Sequence, residues 1–423
     1  EVIKRNLIQV NDFPYHTASG GLYDSGNYQK ALETALKTID YDAFRHRQEE
    51  EWKNGKFLGL GLACIVEPSG SNMGYVTVAL TPEERAKSLP KSGNAEGATV
   101  SIDPTGGISV RISTVPTGQG HETVAAQIVG DVLGVHPQSV RVIAEMDTLT
   151  NPWTVASGSY SSRFGPIGSG AVFQAAQKVR SKLLTIAQDQ LEVPVQNLDI
   201  KDGKVYVKQN PERQISLRRL IGTVHWNPQG LPEDMEPGIH ETSFFSISTA
   251  FPPDENDLIN GSATYGFVVD AVIVEVDIET GHIDIVDYVT VHDAGKLLNP
   301  KIADGQIMGG LAHGLGGAMY EELAYDKNGQ MLAGSFMDYL CPTATEIPEV
   351  TIKHEETPSP LTPLGAKGLG EGNTMSTPVV LANAVSDALR PLGIIIDQLP
   401  LSPDRIWTLI QKAKASYNKE ELT

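Results

Sequence analysis

The stretch Gly365-Ala366-Lys367-Gly368-Leu369-Gly370-Glu371-Gly372 sets four glycines around one carboxylate, ahead of a helix-like apolar run from Thr377 to Leu389. Glycine admits φ > 0 and lets bare backbone approach another object closely. A carboxylate in that position is either a helix cap or a general base, and these residues leave both open. Two more glycine-rich loops lead toward helix starts, Gly118-Gln119-Gly120 and Gly158 to Gly165. Free N–H groups and the dipole converge at a helix start, so three such loops suggest a large anionic ligand. Gln119 is either an ordinary loop residue or an amide offered to a ligand rich in heteroatoms. Gln306 opens a helix whose small residues, Gly309 to Gly317, serve close packing, which does not account for Gln306 itself. Ser157, Ser159, Ser161, Ser162 and Arg163 form a polar cluster before another helix. His121 and His313, both near glycines, read as structural hydrogen-bonders.

Other chemistries find no support. There is no GxxxxGK[ST], no GxGxxG after a strand, no HExxH and no GxSxG elbow. Cys64 and Cys341 are far apart and form no disulfide framework, zinc knuckle or iron–sulfur site. The site is therefore expected to contain no protein metal ligand. A net charge of -19 argues against nucleic acid and anionic membrane partners. No apolar run reaches spanning length, and a cytoplasmic, reducing compartment is expected.

The 423 residues allow two or three domains. Residues 1–55 read as a loop and helix connecting to something upstream. Residues 56–226 then form a first unit. It holds the strand Phe57 to Val66, a hairpin at Ala98–Ile102 and Ile108–Ile112, a helix at Val124–Leu133, a strand at Val140–Ala144 and a helix at Pro166–Leu191. Residues 227–423 form a second, carrying the hairpin Ala271–Val276 and His282–Val286, a helix from Asp304 to Leu323, and the Glu371 loop. Hairpin, loop and helix thus occur twice. The Pro-rich stretch Asn227 to Asn260 reads as a loop-like boundary. The class is α+β, built of β-hairpins and units in which a Gly loop leads into a helix.

These motifs together resemble the xanthine oxidase family of molybdenum hydroxylases. The resemblance rests on Pro116-Thr117-Gly118-Gln119-Gly120-His121-Glu122-Thr123, Ser159-Tyr160-Ser161-Ser162-Arg163, Leu298-Asn299-Pro300 with Gly305-Gln306-Ile307, and Gly365 to Glu371, in that order. It covers nearly the whole chain and matches the C-terminal half of the family's molybdopterin-binding subunit. It implies that Gly118, Gln119, Gly120, His121, Ser161, Ser162, Arg163, Gln306 and the Lys367-Gly368-Leu369-Gly370 backbone bind the cofactor, and that Glu371 is the catalytic base. It further implies molybdopterin cytosine dinucleotide with an oxo/sulfido molybdenum, and [2Fe-2S] and FAD on partner chains. The substrate would be an N-heterocycle or aldehyde. The family's upstream half, with its Gly-Gly-Phe-Gly-Gly loop, is missing here. A partner carrying it is expected, and with it a split or processed subunit. A cofactor-binding or scaffold paralogue without activity is the alternative.

Overall fold

The structure is a computed structural model that describes residues 1–71, 73–89, 94–155 and 157–420, with side chains through 415. Its principal strands are β1 (Phe57–Ser69), β2 (Ala95–Ile102), β3 (Ile108–Ile112), β4 (Val140–Ile143), β5 (Ile239–Ser246), β6 (Thr264–Val276), β7 (Ile283–Asp293) and β8 (Thr351–Glu355). The helices that matter here are α1 (Tyr28–Thr38), α2 (Tyr41–Lys53), α3 (His121–Leu133), α4 (Ser169–Leu191), α5 (Pro300–Met319) and α6 (Gly372–Ala388). The mixture is α+β, as the sequence indicates.

Two four-stranded sheets run β5-β2-β3-β4 and β1-β6-β7-β8. Each has two antiparallel pairings followed by one parallel pairing. In each, a hairpin is followed by a loop, a helix, a parallel strand, another loop and a second helix. The repeat suspected from the sequence is therefore a repeat of topology: β2-β3-α3-β4-α4 and β6-β7-α5-β8-α6. Strands pairing in parallel need a crossover, and α3 and α5 supply it.

β6 explains its own continuous apolar run. Val269, Ala271 and Ile273 pack with Ala31, Leu32 and Ala35 of α1. Val272, Val274 and Val276 face the other way, onto α5 and α6. A strand covered on both faces needs no alternation. α6 lies directly on β1, where a Cβ on Gly59 or Gly61 would collide with the Ala384 and Val380 carbonyls. The first sheet is closed by α3 and α4, with Val100, Val110, Val129, Val179 and Leu183 in its core.

Three sequence expectations change. Residues 227–260 are not all loop, since β5 lies there and pairs with β2 along its full length. Only Ile239 and Ser243 of β5 are buried, so its edge carries little apolar signal. The 226/227 boundary does not sort the strands. β1 pairs with β6 of the second sheet over thirteen residues, and β5 joins the first. Finally, α6 starts at Gly372, five residues before Thr377, and accommodates Pro378 within its first turns. Among the described residues no helix is long and apolar enough to cross a membrane.

Candidate functional site

The repeated topology brings four strand-to-helix loops to one place. The loops before α3, α4, α5 and α6 line a single open cleft of about 210 Å³. From these loops and the helix starts they lead into come Gln119 and His121, Ser159, Tyr160 and Ser162 to Gly165, Lys296 to Asn299 with Gln306, and Ala366 to Glu371. The structure thus gathers Gln119, His121, Ser162, Arg163, Gln306, Lys367, Gly368, Leu369, Gly370 and Glu371. Gly118, Gly120 and Ser161 stand behind this lining. Gly118 and Gly120 hold left-handed backbone (φ +101° and +77°), which turns the chain into α3. The Ser161 carbonyl accepts from Gly70 N at 2.7 Å, and its Oγ accepts from Ser71 N at 3.0 Å. These bonds tie the serine loop to the end of β1.

The side chains differ in how firmly they are held. Gln119 folds onto its own loop: its Oε1 accepts from Thr117 N, and its Nε2 donates to Thr117 Oγ1 at 3.1 Å. His121 opens α3, stacked on Phe164 at 4.2 Å between ring centroids. Burial pushes its imidazole down to about 4, so it is neutral near pH 7. Its buried Nδ1 has no hydrogen-bond partner among the described residues. A satisfied interior leaves few such atoms, and one beside a cleft fits a site completed by a ligand.

Two cationic side chains of the predicted site are engaged with protein groups. The Arg163 guanidinium turns onto protein groups. It is fully buried and pairs with the equally buried Glu96 at 2.5 Å, while donating to Tyr160 Oη at 2.7 Å and the Ala95 carbonyl at 3.2 Å. Lys367 reaches the cleft through its backbone alone. Its Nζ donates to the Ser25 carbonyl at 2.8 Å, and burial lowers its pKa despite Asp24 and Asp293 nearby. Lys296 is the exposed cation on the rim.

The glycines also permit close packing within the protein. A Cβ on Gly368 would strike Ser69 and Ser162, and one on Gly372 would strike Val268 and Glu67. These glycines let the loop lie closely against protein on one side, while Gly368 and Gly370 line the cleft on the other. The Gly368 N–H donates to Ser69 Oγ and the Gly370 N–H to Ser162 Oγ, each at 3.1 Å.

Glu371 occupies the N-cap position of α6, yet its side chain makes no capping hydrogen bond. Its exposed carboxylate lines the cleft, with Oε2 3.5 Å from Ser162 Oγ. Behind it stands Glu67, at the end of β1 and only 1% exposed. Glu67 accepts from Ser162 Oγ at 2.7 Å and from the Glu371 N–H at 3.1 Å. Burial pushes the Glu67 carboxyl up to about 7, although the Ser162 hydroxyl and the Glu371 and Gly372 amides pull the other way.

A second buried cluster fixes the first turn of α6. Asn373 Nδ2 donates to Asp270 at 3.1 and 3.2 Å, and Ser376 and Tyr288 donate to the same carboxylate at 2.6 and 2.7 Å. Burial raises Asp270 and lowers His292 to about 4. The neutral His292 therefore donates Nε2–H to Asn373 Oδ1, 2.7 Å away. Sequence reasoning missed Glu67, Asp270 and Lys296. The only available signal was a lone acid in an apolar strand, as in Cys64-Ile65-Val66-Glu67 and Val268-Val269-Asp270-Ala271.

Among the described residues no group of three or more His, Cys, Asp or Glu side chains could hold a metal. The sequence profile of the molybdopterin cofactor-binding domain matches residues 34–348. The chain is 34% identical over 406 residues to the nicotine 6-hydroxylase large subunit of Paenarthrobacter nicotinovorans, covering 96% of this chain and 46% of that one. It is 33% identical over 409 residues to the carbon monoxide dehydrogenase large chain of Afipia carboxidovorans, covering 95% and 47%. The solved structure of quinoline 2-oxidoreductase from Pseudomonas putida 86 superposes with a TM-score of 0.83 at 33% identity, covering 97% of this chain and 49% of that one. The chain thus spans about half the length of the relatives it matches.

Proposed function

The chain belongs to the molybdopterin cofactor-binding domain family, and on that premise we propose that it is part of the molybdenum subunit of a hydroxylase or dehydrogenase, with Glu371 as its general base. The observation that carries this reading is the uncapped Glu371. A carboxylate at an N-cap position ordinarily turns to bind its own helix. This one lies in the cleft instead, at a protein-lined place where it can take a proton.

The lining suits a pterin, whose ring edges alternate donors and acceptors. Gln119 and Gln306 offer amides, Ser162 a hydroxyl, Ala366 to Gly370 a run of peptide groups, and His121 an unpartnered ring nitrogen. For the anionic tail, Arg163 is already engaged with Glu96. Lys296 and the helix starts that meet in the cleft would supply the positive field. When bound, the molybdenum cofactor would supply the redox centre that accepts electrons from substrate and activates a water-derived oxygen. The protein's own work is to orient that group, to exclude competing bases, and to receive a proton on the Glu371 carboxylate.

The cytosine dinucleotide form of the cofactor, [2Fe-2S] and FAD on partner chains, and a cytoplasmic setting belong to the same proposal. So does the substrate class, an N-heterocycle or aldehyde. The names of the nicotine- and quinoline-acting relatives support the heterocycle. The test is Glu371→Gln in the assembled complex. Molybdenum content should stay at the wild-type level while kcat falls about a thousandfold, within the usual range for losing a general base. A scaffold paralogue would show no molybdenum-dependent turnover to lose.

A further inference from the structure

The base loop poses a physical problem that Glu371 does not solve. The first N–H groups of α6 need acceptors, and the residue placed to cap them leaves its side chain in the cleft. The acceptor comes from another element. β1 ends with Glu67 and Ser69, two residues apart and so on one face of the strand. Ser69 takes the Gly368 N–H. Glu67 takes the Glu371 N–H, receives the Gly372 amide as well, and is joined to the loop a third time through the Ser162 hydroxyl. Ser162 in turn accepts from Gly370 N. The whole loop from Gly368 to Gly372 is therefore pinned along the end of β1.

A carboxylate in so buried a position is costly unless its lone pairs are filled. No basic side chain among the described residues forms an ion pair with Glu67. Its compensation is three donors, and two of them are the amides of the N-cap residue Glu371 and the first helical residue Gly372, which no carbonyl within α6 reaches. An apolar residue at 67 would leave all three donors unpaired, so packing alone does not account for an acid there.

We propose that Glu67 is a positioning residue that caps α6 from the neighbouring strand and thereby releases the Glu371 carboxylate for proton transfer in the cleft. The division of labour is between two carboxylates: Glu67 holds the backbone, and Glu371 faces the ligand. The Gly372 position allows it, because a Cβ there would fill the space occupied by Glu67 Oε2. This inference rests on Glu371 being the base, and its test separates the two claims.

The experiment compares Glu67→Ala, Glu67→Gln and Glu371→Gln in the assembled, molybdenum-loaded complex. Hydrogen exchange is followed in the peptide spanning 366–376, alongside kcat, KM and metal content. With Glu67→Ala, exchange in that peptide should quicken about tenfold or more, and kcat should fall about thirtyfold with KM little changed, as Glu371 turns back to cap its own helix. Glu67→Gln keeps the shape and one acceptor oxygen, and should recover part of both. It also serves if the alanine variant does not fold. Unchanged local exchange and unchanged kcat in either Glu67 variant, beside an inactive Glu371→Gln, would overturn the capping role alone. An active Glu371→Gln would overturn the base reading, and the exchange data would still decide whether Glu67 caps the helix.

Discussion

The two rims of the cleft are built in opposite ways. On the Glu371 rim the loop is pinned by Glu67, Ser69 and Ser162, and the helix behind it is locked by Asp270, Asn373 and His292, all buried. On the Gln119 rim the amide is half-buried and bonds only to Thr117 of its own loop. Charge-assisted hydrogen bonds in a low-dielectric interior fix geometry firmly, whereas local bonds near solvent exchange with water at little cost. The difference teaches that the Glu371 side is preorganised by the protein. The amide side is left to be ordered by what binds.

This contrast can be broken at its strongest point first. Arg163→Met takes the cation from the buried Glu96, which must then take up a proton and loses its ion-pair partner at the root of the serine loop, and should destabilise the protein by about 3 kcal/mol, read as a large drop in Tm. Asn373→Ala strips donors from Asp270 and the acceptor from His292, and should cost about 2–3 kcal/mol in denaturant unfolding. The pH dependence of Glu67→Gln comes next. The Glu67 carboxyl titrates near 7 in the fold, against about 4.5 when unfolded. The folded chain therefore binds that proton more tightly, and wild type loses stability as pH rises from about 4.5 to 7, with no further change above. The variant lacks this loss, so its stability relative to wild type should rise by about 2 kcal/mol between pH 4.5 and 7. Thermal melts at pH 5 and pH 8 check the sign. Gln119→Ala should change stability least, by under about 0.5 kcal/mol, while weakening cofactor retention; parallel melts and molybdenum analysis separate those effects.

What could be read from the sequence was local. The glycine loops, the two hairpins and the motifs around Gln119, Ser162, Gln306 and Glu371 each lie within a short window, and the structure brings those four residues to one cleft. The missing parts depend on distant partners. Glu67 meets Ser162 across 95 positions and the Glu371 N–H across 304, so nothing near it shows why an acid sits in an apolar strand. Arg163 carries the same lesson from the other side. In sequence it stands in a polar cluster of serines, but the residue that decides where its guanidinium goes is Glu96, paired with it from β2. β5 was hidden because its pairing with β2 is long-range and its exposed edge carries almost no hydrophobic pattern.

The most direct measurement of the two-rim account is amide hydrogen exchange on cofactor-free and cofactor-loaded protein, compared in two peptides. The peptide spanning 366–376 should exchange slowly in both states, because its N–H groups are already bound to Glu67, Ser69 and Ser162. The peptide spanning 114–123 should exchange fast without cofactor and slow down on loading. If the 366–376 peptide exchanges as fast as the other until the cofactor is present, the Glu371 rim is not preorganised and the account is wrong.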